Sequence, residues 1–293
     1  MEPDNVKLRD IKPALAGYIR DAQALLRMSP VPDDRAVHDI RVLMKKCRAV
    51  MRLVSSQIDE DSFKRDYEAF RTTGQVLSTW RDTSVHRKTL KDLKKNHPRL
   101  FASLHENEKL EALMKKSLRP SEPSPETRND LQKIEAMLNK AGFRIRFQKM
   151  DNIDPKLLLK ELEYTYNTVV DRYLISRNNP KPENIHMFRK KSKDFLYQLW
   201  FFRALNPPVL KTIEKKLDSM TQNLGKYNDL AQLLATLEYK YSGSAEFPAM
   251  DELVILIREA QDRYLLRVWP VAYKIFCPGK KFFNVLGFRL LII

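Results

Sequence analysis

The sequence predicts an all-α protein built from two similar helical halves. Three observations carry this expectation. Apolar residues recur at helical spacing along nearly every long segment. Glycine is scarce, at 7 of 293 residues, about a third of the usual ~7% share. A stretch of the first half also returns in the second, as an internal repeat. Strand-and-turn folds and phosphate-cradling loops need backbone with positive φ, which Gly supplies most readily. No GxGxxG, GxxxxGKS or GxxxxGKT pattern occurs, which argues against dinucleotide-binding and P-loop domains. A hydrophobic content of 43% argues against a disordered chain.

Prolines separate the helical segments. A first helix is expected over about 4–28, closed by Pro30 and Pro32. A second runs over about 34–56, with Asp33 or Asp34 as N-cap. A third begins near 60 with Phe63, Tyr67, Phe70, Val76, Leu77 and Trp80, and it or a continuation reaches His97-Pro98. Another covers about 99–117, and SLRPSEPSPETR at 117–128 reads as a linker. Helices then follow at about 127–141, 154–177, 182–205, 209–241 and 248–276. FRIRFQKM at 143–150 alternates like a strand but has no partner strand, so it reads as a helix end or connection. One helical domain is expected over 1–279, with halves of about 1–148 and 149–279. KKFFNVLGFRLLII at 280–293 is an apolar tail, too short for a bilayer span. It suits packing on the bundle, a membrane surface or assembly.

Cys47 and Cys277 form no CxxC, which excludes a disulfide framework and a zinc ribbon. The start, MEPDNVKLRD, shows no signal peptide, and no run of ~18 apolar residues exists. A soluble protein of the reducing cytoplasm is expected. The formal net charge is +16. It divides into +9 over residues 1–148 and +7 over 149–293, so it belongs to the body of the fold. A polyanionic partner follows.

The repeat locates the chemistry. VHDIRVLMKKCRAVMRLV (37–54) aligns with IHMFRKKSKDFLYQLWFF (185–202) at an offset of 148, pairing His38 with His186, Arg41 with Arg189 and Lys45 with Lys193. WRDTSV (80–85) falls on YNDLAQ (227–232), pairing Asp82 with Asp229 at an offset of 147. Two landmarks at matching separation predict two bundles related by a pseudo-two-fold axis. His38, Arg41, Lys45, Arg48 and Arg52 share one helix face, opposite Ile40, Leu43, Met44, Cys47, Val50, Met51 and Val54. The repeat helix keeps His186, Arg189 and Lys193 and adds Lys190 beside them, but Leu196 and Trp200 replace the later cations.

A row of charge on a helix is commonly a solvated face. Such faces mix signs at i,i+4 spacing, whereas these stripe positions hold no acid, and the pattern recurs. Anion binding is the stronger reading. An imidazolium at 38 or 186 would help hold an anion, because a neighbouring polyanion raises its pKa. A metal held by Asp82 and Asp229 is the weaker reading, since the stripes would repel a cation. Arg81-Asp82 and Asn228-Asp229 read as inter-helix fasteners, and a catalytic carboxylate pair is the competitor. The aromatics lie at core spacing. HRKTLKDLKK at 86–95 has no repeat counterpart and reads as solvated surface.

VHDIRVLMKKCR (37–48), RDTSV (81–85), IHMFRKKSKDFLY (185–197) and LGKYNDLAQLL (224–234) resemble, in order and spacing, the CHAD family, the conserved-histidine α-helical domain. The resemblance extends to about residue 276. It implies two four-helix bundles about a pseudo-two-fold axis and a basic central pore that binds inorganic polyphosphate. By carry-over His38, Arg41, Lys45, Arg48, His186, Arg189, Lys190 and Lys193 would line that pore, with Arg52 added by the stripe. This sequence departs where Leu196 replaces the family's later Arg and Asp194 aligns with Lys46. The function expected is non-enzymatic polyphosphate binding, with no cofactor, in the cytoplasm or at polyphosphate granules. The alternative is RNA or DNA binding by the same patch.

Overall fold

In a computed structural model of the chain, the described residues are 8–80, 82–104, 110, 113–114, 124–148, 150, 153–241 and 248–288. Among them every regular element is helical, as expected. The order is α1 (Leu8–Arg27), α2 (Asp34–Leu53), α3 (Glu60–Thr79), α4 (Asp82–Asn96), α5 (Pro98–Ser103) and α6 (Pro125–Phe147). Then come α7 (Pro155–Asn178), α8 (Pro182–Leu199), α9 (Pro207–Tyr241), α10 (Pro248–Phe276) and α11 (Phe282–Leu286). Short 3₁₀ turns occupy Ser55–Gln57 and Trp200–Leu205.

Six helices, α5 to α10, begin at a proline. Proline is suited to a first helical position, because the N–H it lacks would be unbonded there. The same residues therefore end one element and start the next. Asp33, Asp59, Ser124 and Asp154 cap α2, α3, α6 and α7 by accepting backbone N–H bonds. The third segment is broken between Thr79 and Asp82, after β-branched and aromatic residues and before an acid that favours a helix start. The helix expected at 182–205 stops at Leu199 and tightens to 3₁₀ ahead of Asn206-Pro207. Residue 206 precedes a proline, which disfavours α-helical backbone there. FRIRFQKM runs through the last turns of α6 to Phe147. Most of the segment expected as helix after Ser103 lies outside the described residues.

α2 packs on α1 and α3, α8 packs on α7 and α9, and α2 and α8 pack on each other. α6 closes against α1 and α3. α4 and α5 belong to the first half of the chain but bury their apolar sides on α9 and α10. Leu90, Leu93, Leu100 and Phe101 there meet Leu230, Leu233, Leu237, Leu253 and Ile257. The larger core is rich in aromatics: Tyr166 lies 5.7 Å from Phe195 and from Phe276, and 5.4 Å from Phe282. The tail segment up to Phe288 packs on the bundle through buried Phe282 and Leu286. Asn206 Nδ2 also donates to the Gly287 carbonyl at 2.9 Å. Residues 289–293 of the tail lie outside the described residues. No described helix is long and apolar enough to cross a membrane.

Candidate functional site

Two helices carry the site. On α2, Val37, Ile40, Met44, Cys47, Val50 and Met51 are buried, and Val54 follows them into the core. That leaves His38 exposed, with Arg41, Lys45, Arg48 and Arg52 half-buried on the other side. Arg41 turns inward, and its Nε and Nη1 are buried. On α8, Ile185, Phe188, Phe195 and Leu199 enter the core, while His186 and Lys190 stay exposed and Arg189, Lys191 and Lys193 are half-buried.

The packing of α2 on α8 brings the two basic rows together. Gln198 Nε2 donates to the Ala49 carbonyl at 2.9 Å in the buried seam. His186 is pushed below the ordinary imidazole value, first by loss of hydration and then by Arg189, Lys190 and Lys45. Lys190, though exposed as a residue, is pushed down by partial loss of hydration and by Arg48, Arg52 and Arg71, with Asp194 opposing. Lys191 is pushed down by burial and by Arg52, Lys190 and Arg172, again with Asp194 opposing. Burial also pulls the Arg48 guanidinium down; Arg52 and Arg71 add to this, while Tyr67 and Asp194 oppose it. Cations from α2, α3, α7 and α8 thus share one partly dehydrated neighbourhood.

Several of the expected residues are held by internal partners. Arg52 Nη1 pairs with Asp194 at 2.9 Å, its Nη2 donates to the Tyr67 hydroxyl, and its guanidinium lies 5.0 Å from the Tyr67 ring centroid. Lys193 pairs with Asp218 at 3.0 Å and lies 5.8 Å from the Tyr197 ring centroid. Burial, above all, pushes the Tyr197 phenol up to about 12. Arg189 Nε donates to the Thr221 carbonyl at 3.2 Å. Its guanidinium lies close over Gly225, where a Cβ would meet Nε and Nη2 at 3.2 Å.

Asn228, read from the sequence as an inter-helix fastener, is buried with Nδ2 3.4 Å from His186 Nδ1. Asp229 lines a hollow among α4, α9 and α10, together with Asp92, His97, Lys226 and Arg263. Arg81 and the side chain of Asp82 lie outside the described residues. Four members of the neighbourhood escaped the sequence reading: Arg71, Lys191, Arg172 and Tyr67. Lys191 stands five residues after His186, about 140° round the helix from it, which placed it off the stripe. Arg71 and Arg172 lie on other helices with no basic row of their own. Only packing delivers them.

The family model of the CHAD domain matches residues 10–238. The crystal structure of the CHAD domain from the plant Ricinus communis superposes with a TM-score of 0.56, covering 96% of this chain and 90% of that one. At 15% identity this likeness is one of fold. No curated protein sequence matches the chain. The family match spans well over half of the sequence and includes both histidine helices, so the chain belongs to the CHAD domain family.

Proposed function

We propose that the chain binds inorganic polyphosphate, without turning it over, along the basic surface where α2 and α8 meet. One observation carries this reading. Arg48, Lys190 and Lys191 share one nearby carboxylate, Asp194, which Arg52 already holds, and Arg71, itself paired with Glu68, adds repulsion at Arg48 and Lys190. Like charges gathered in a partly dehydrated place cost stability. A flexible chain carrying roughly one negative charge per phosphate would neutralise them and release its counterions. Arg adds two-pronged contacts to phosphate oxygens, and Lys acts as a point charge. The repeated stripes, His38 to Arg52 and His186 to Lys193, extend the contact in a basic pore or groove. The cytoplasm, or granules of the polymer, is the fitting location.

Nucleic acid is the competing partner. Base stacking needs an open aromatic face, and two rings on this surface, Tyr67 and Tyr197, have Arg52 and Lys193 over them. The deciding experiment is calorimetry with long-chain polyphosphate on the wild type and on the variant Arg41→Ala/Lys45→Ala/Arg48→Ala/Lys190→Ala. Loss of binding with retained helicity supports the assignment; unchanged affinity refutes it. Excess tRNA or duplex DNA should displace polyphosphate poorly, and phosphate release in the presence of Mg²⁺ or Mn²⁺ should be absent.

A further inference from the structure

A second basic surface shares no residue with the α2–α8 site. The start of α9, the end of α10 and the segment through α11 enclose a groove of about 770 Å³. Gly279, at φ +83°, turns the chain between α10 and α11 and sets Lys280 and Lys281 on the rim. Lys216 and Lys274 complete it. All four lysines are exposed, and none has an ion-pair partner among the described residues. Among the described residues, no Asp or Glu lines the groove. The nearest carboxylates in sequence are engaged elsewhere: Glu214 by Arg203, and Asp218 by Lys193 at 3.0 Å and Gln222 at 2.7 Å.

The floor of the groove differs in kind from its rim. Ile213 and Ile275 form its base from the core, and half-buried Val209 and Val285 flank them. A bare polyanion would leave this floor uncovered, and a purely apolar ligand would leave four ammonium groups unneutralised. We propose that the groove binds an anionic amphiphile, with an acyl chain laid over Val209, Ile213, Ile275 and Val285 and a phosphate or carboxylate head held by Lys216, Lys274, Lys280 and Lys281. Its volume falls within the ~300–1,000 Å³ of pockets for small ligands.

Calorimetry on the full chain tests this with octyl, decyl and dodecyl phosphate below their micelle concentrations, and with inorganic phosphate. A groove open on one side covers about half of each methylene, so affinity should rise about tenfold for every three to four methylenes added. Inorganic phosphate should bind at least about 100-fold more weakly than dodecyl phosphate. Lys216→Glu/Lys281→Glu should weaken dodecyl phosphate at least about tenfold, through lost attraction and added repulsion. Equal affinity across the alkyl series, or inorganic phosphate binding as tightly as dodecyl phosphate, overturns the proposal without any variant. Unchanged affinity in the folded double variant overturns it as well. Co-sedimentation with phosphatidylglycerol vesicles but not phosphatidylcholine vesicles identifies a membrane lipid as the source. Binding of the monomeric alkyl phosphate without vesicle association identifies a free amphiphile.

Discussion

Arg52 of α2 and Asp194 of α8 meet at 2.9 Å, joining the two histidine helices through one largely buried ion pair. Asp194 is also the carboxylate that opposes the depressed pKa values of Arg48, Lys190 and Lys191. The acid beside the second basic row is therefore a counter-charge to both rows. Asp194→Ala leaves several cations unbalanced and should cost roughly 2–4 kcal/mol, read by urea denaturation. The milder Asp194→Asn should raise polyphosphate affinity several-fold by removing negative charge from the site. Weaker binding by a folded Asp194→Asn protein would count against the location of the site.

Arg48 and Lys190 sit where partial loss of hydration and like charge both disfavour their charged forms. Removing them should leave thermal stability within about 1 kcal/mol of wild type, or raise it, because repulsion is relieved. Polyphosphate affinity should fall more than about tenfold. In the salt dependence of log K, the slope should become shallower by about 0.7 for each cation lost. A pair of variants with unaltered slope would show that neither side chain displaces counterions.

His186 gives the binding a pH dependence. Loss of hydration and three neighbouring cations hold its pKa below the ordinary value in the free protein. In that state its native pKa lies under its unfolded one, so its share of stability is present at higher pH and is lost as pH falls through the window between the two. A bound polyanion moves the pKa the other way. Binding then takes up a proton: affinity is highest below the free-state pKa and declines as pH rises through the bound-state one. Titrations at about pH 5 and about pH 8 should show tighter binding at the acidic end, and His186→Gln should flatten the difference. Asn228, 3.4 Å from the ring, should act through the same profile when changed to Ala.

Gly225 on α9 lies beneath the Arg189 guanidinium, which a Cβ would meet at 3.2 Å. Gly225→Ala gains helix propensity of about 1 kcal/mol and displaces the flexible end of Arg189 by a few tenths of an ångström. Stability should change little or rise, while polyphosphate affinity should drop. A melting curve and a titration on the same sample separate the two effects, and equal affinity would show that Arg189 takes no part in binding.

Much of the architecture was legible in linear order. Prolines at 155, 182, 207 and 248 mark helix starts because the pyrrolidine ring suits only the first turn, and the apolar face of α2 followed directly from 3.6-residue spacing. The histidine rows, with Lys190 beside the second, were readable because they recur on single helices. Arg71, Lys191 and Tyr67 were not, since helix periodicity describes one helix at a time and these residues meet the rows only through packing between helices. The same holds for α4 and α5, whose apolar sides serve the opposite half of the chain.

Composition and periodicity were sufficient for a helical body, its basic excess and the helices that bear it, because those properties depend on neighbours a few residues apart. Folded packing alone assigned Arg52 and Lys193 to internal carboxylates and drew Arg48, Arg71, Lys190 and Lys191 into one place. The reason is range: Coulomb energy and desolvation depend on distance in space, and residues far apart in the chain come within that distance only when the helices pack.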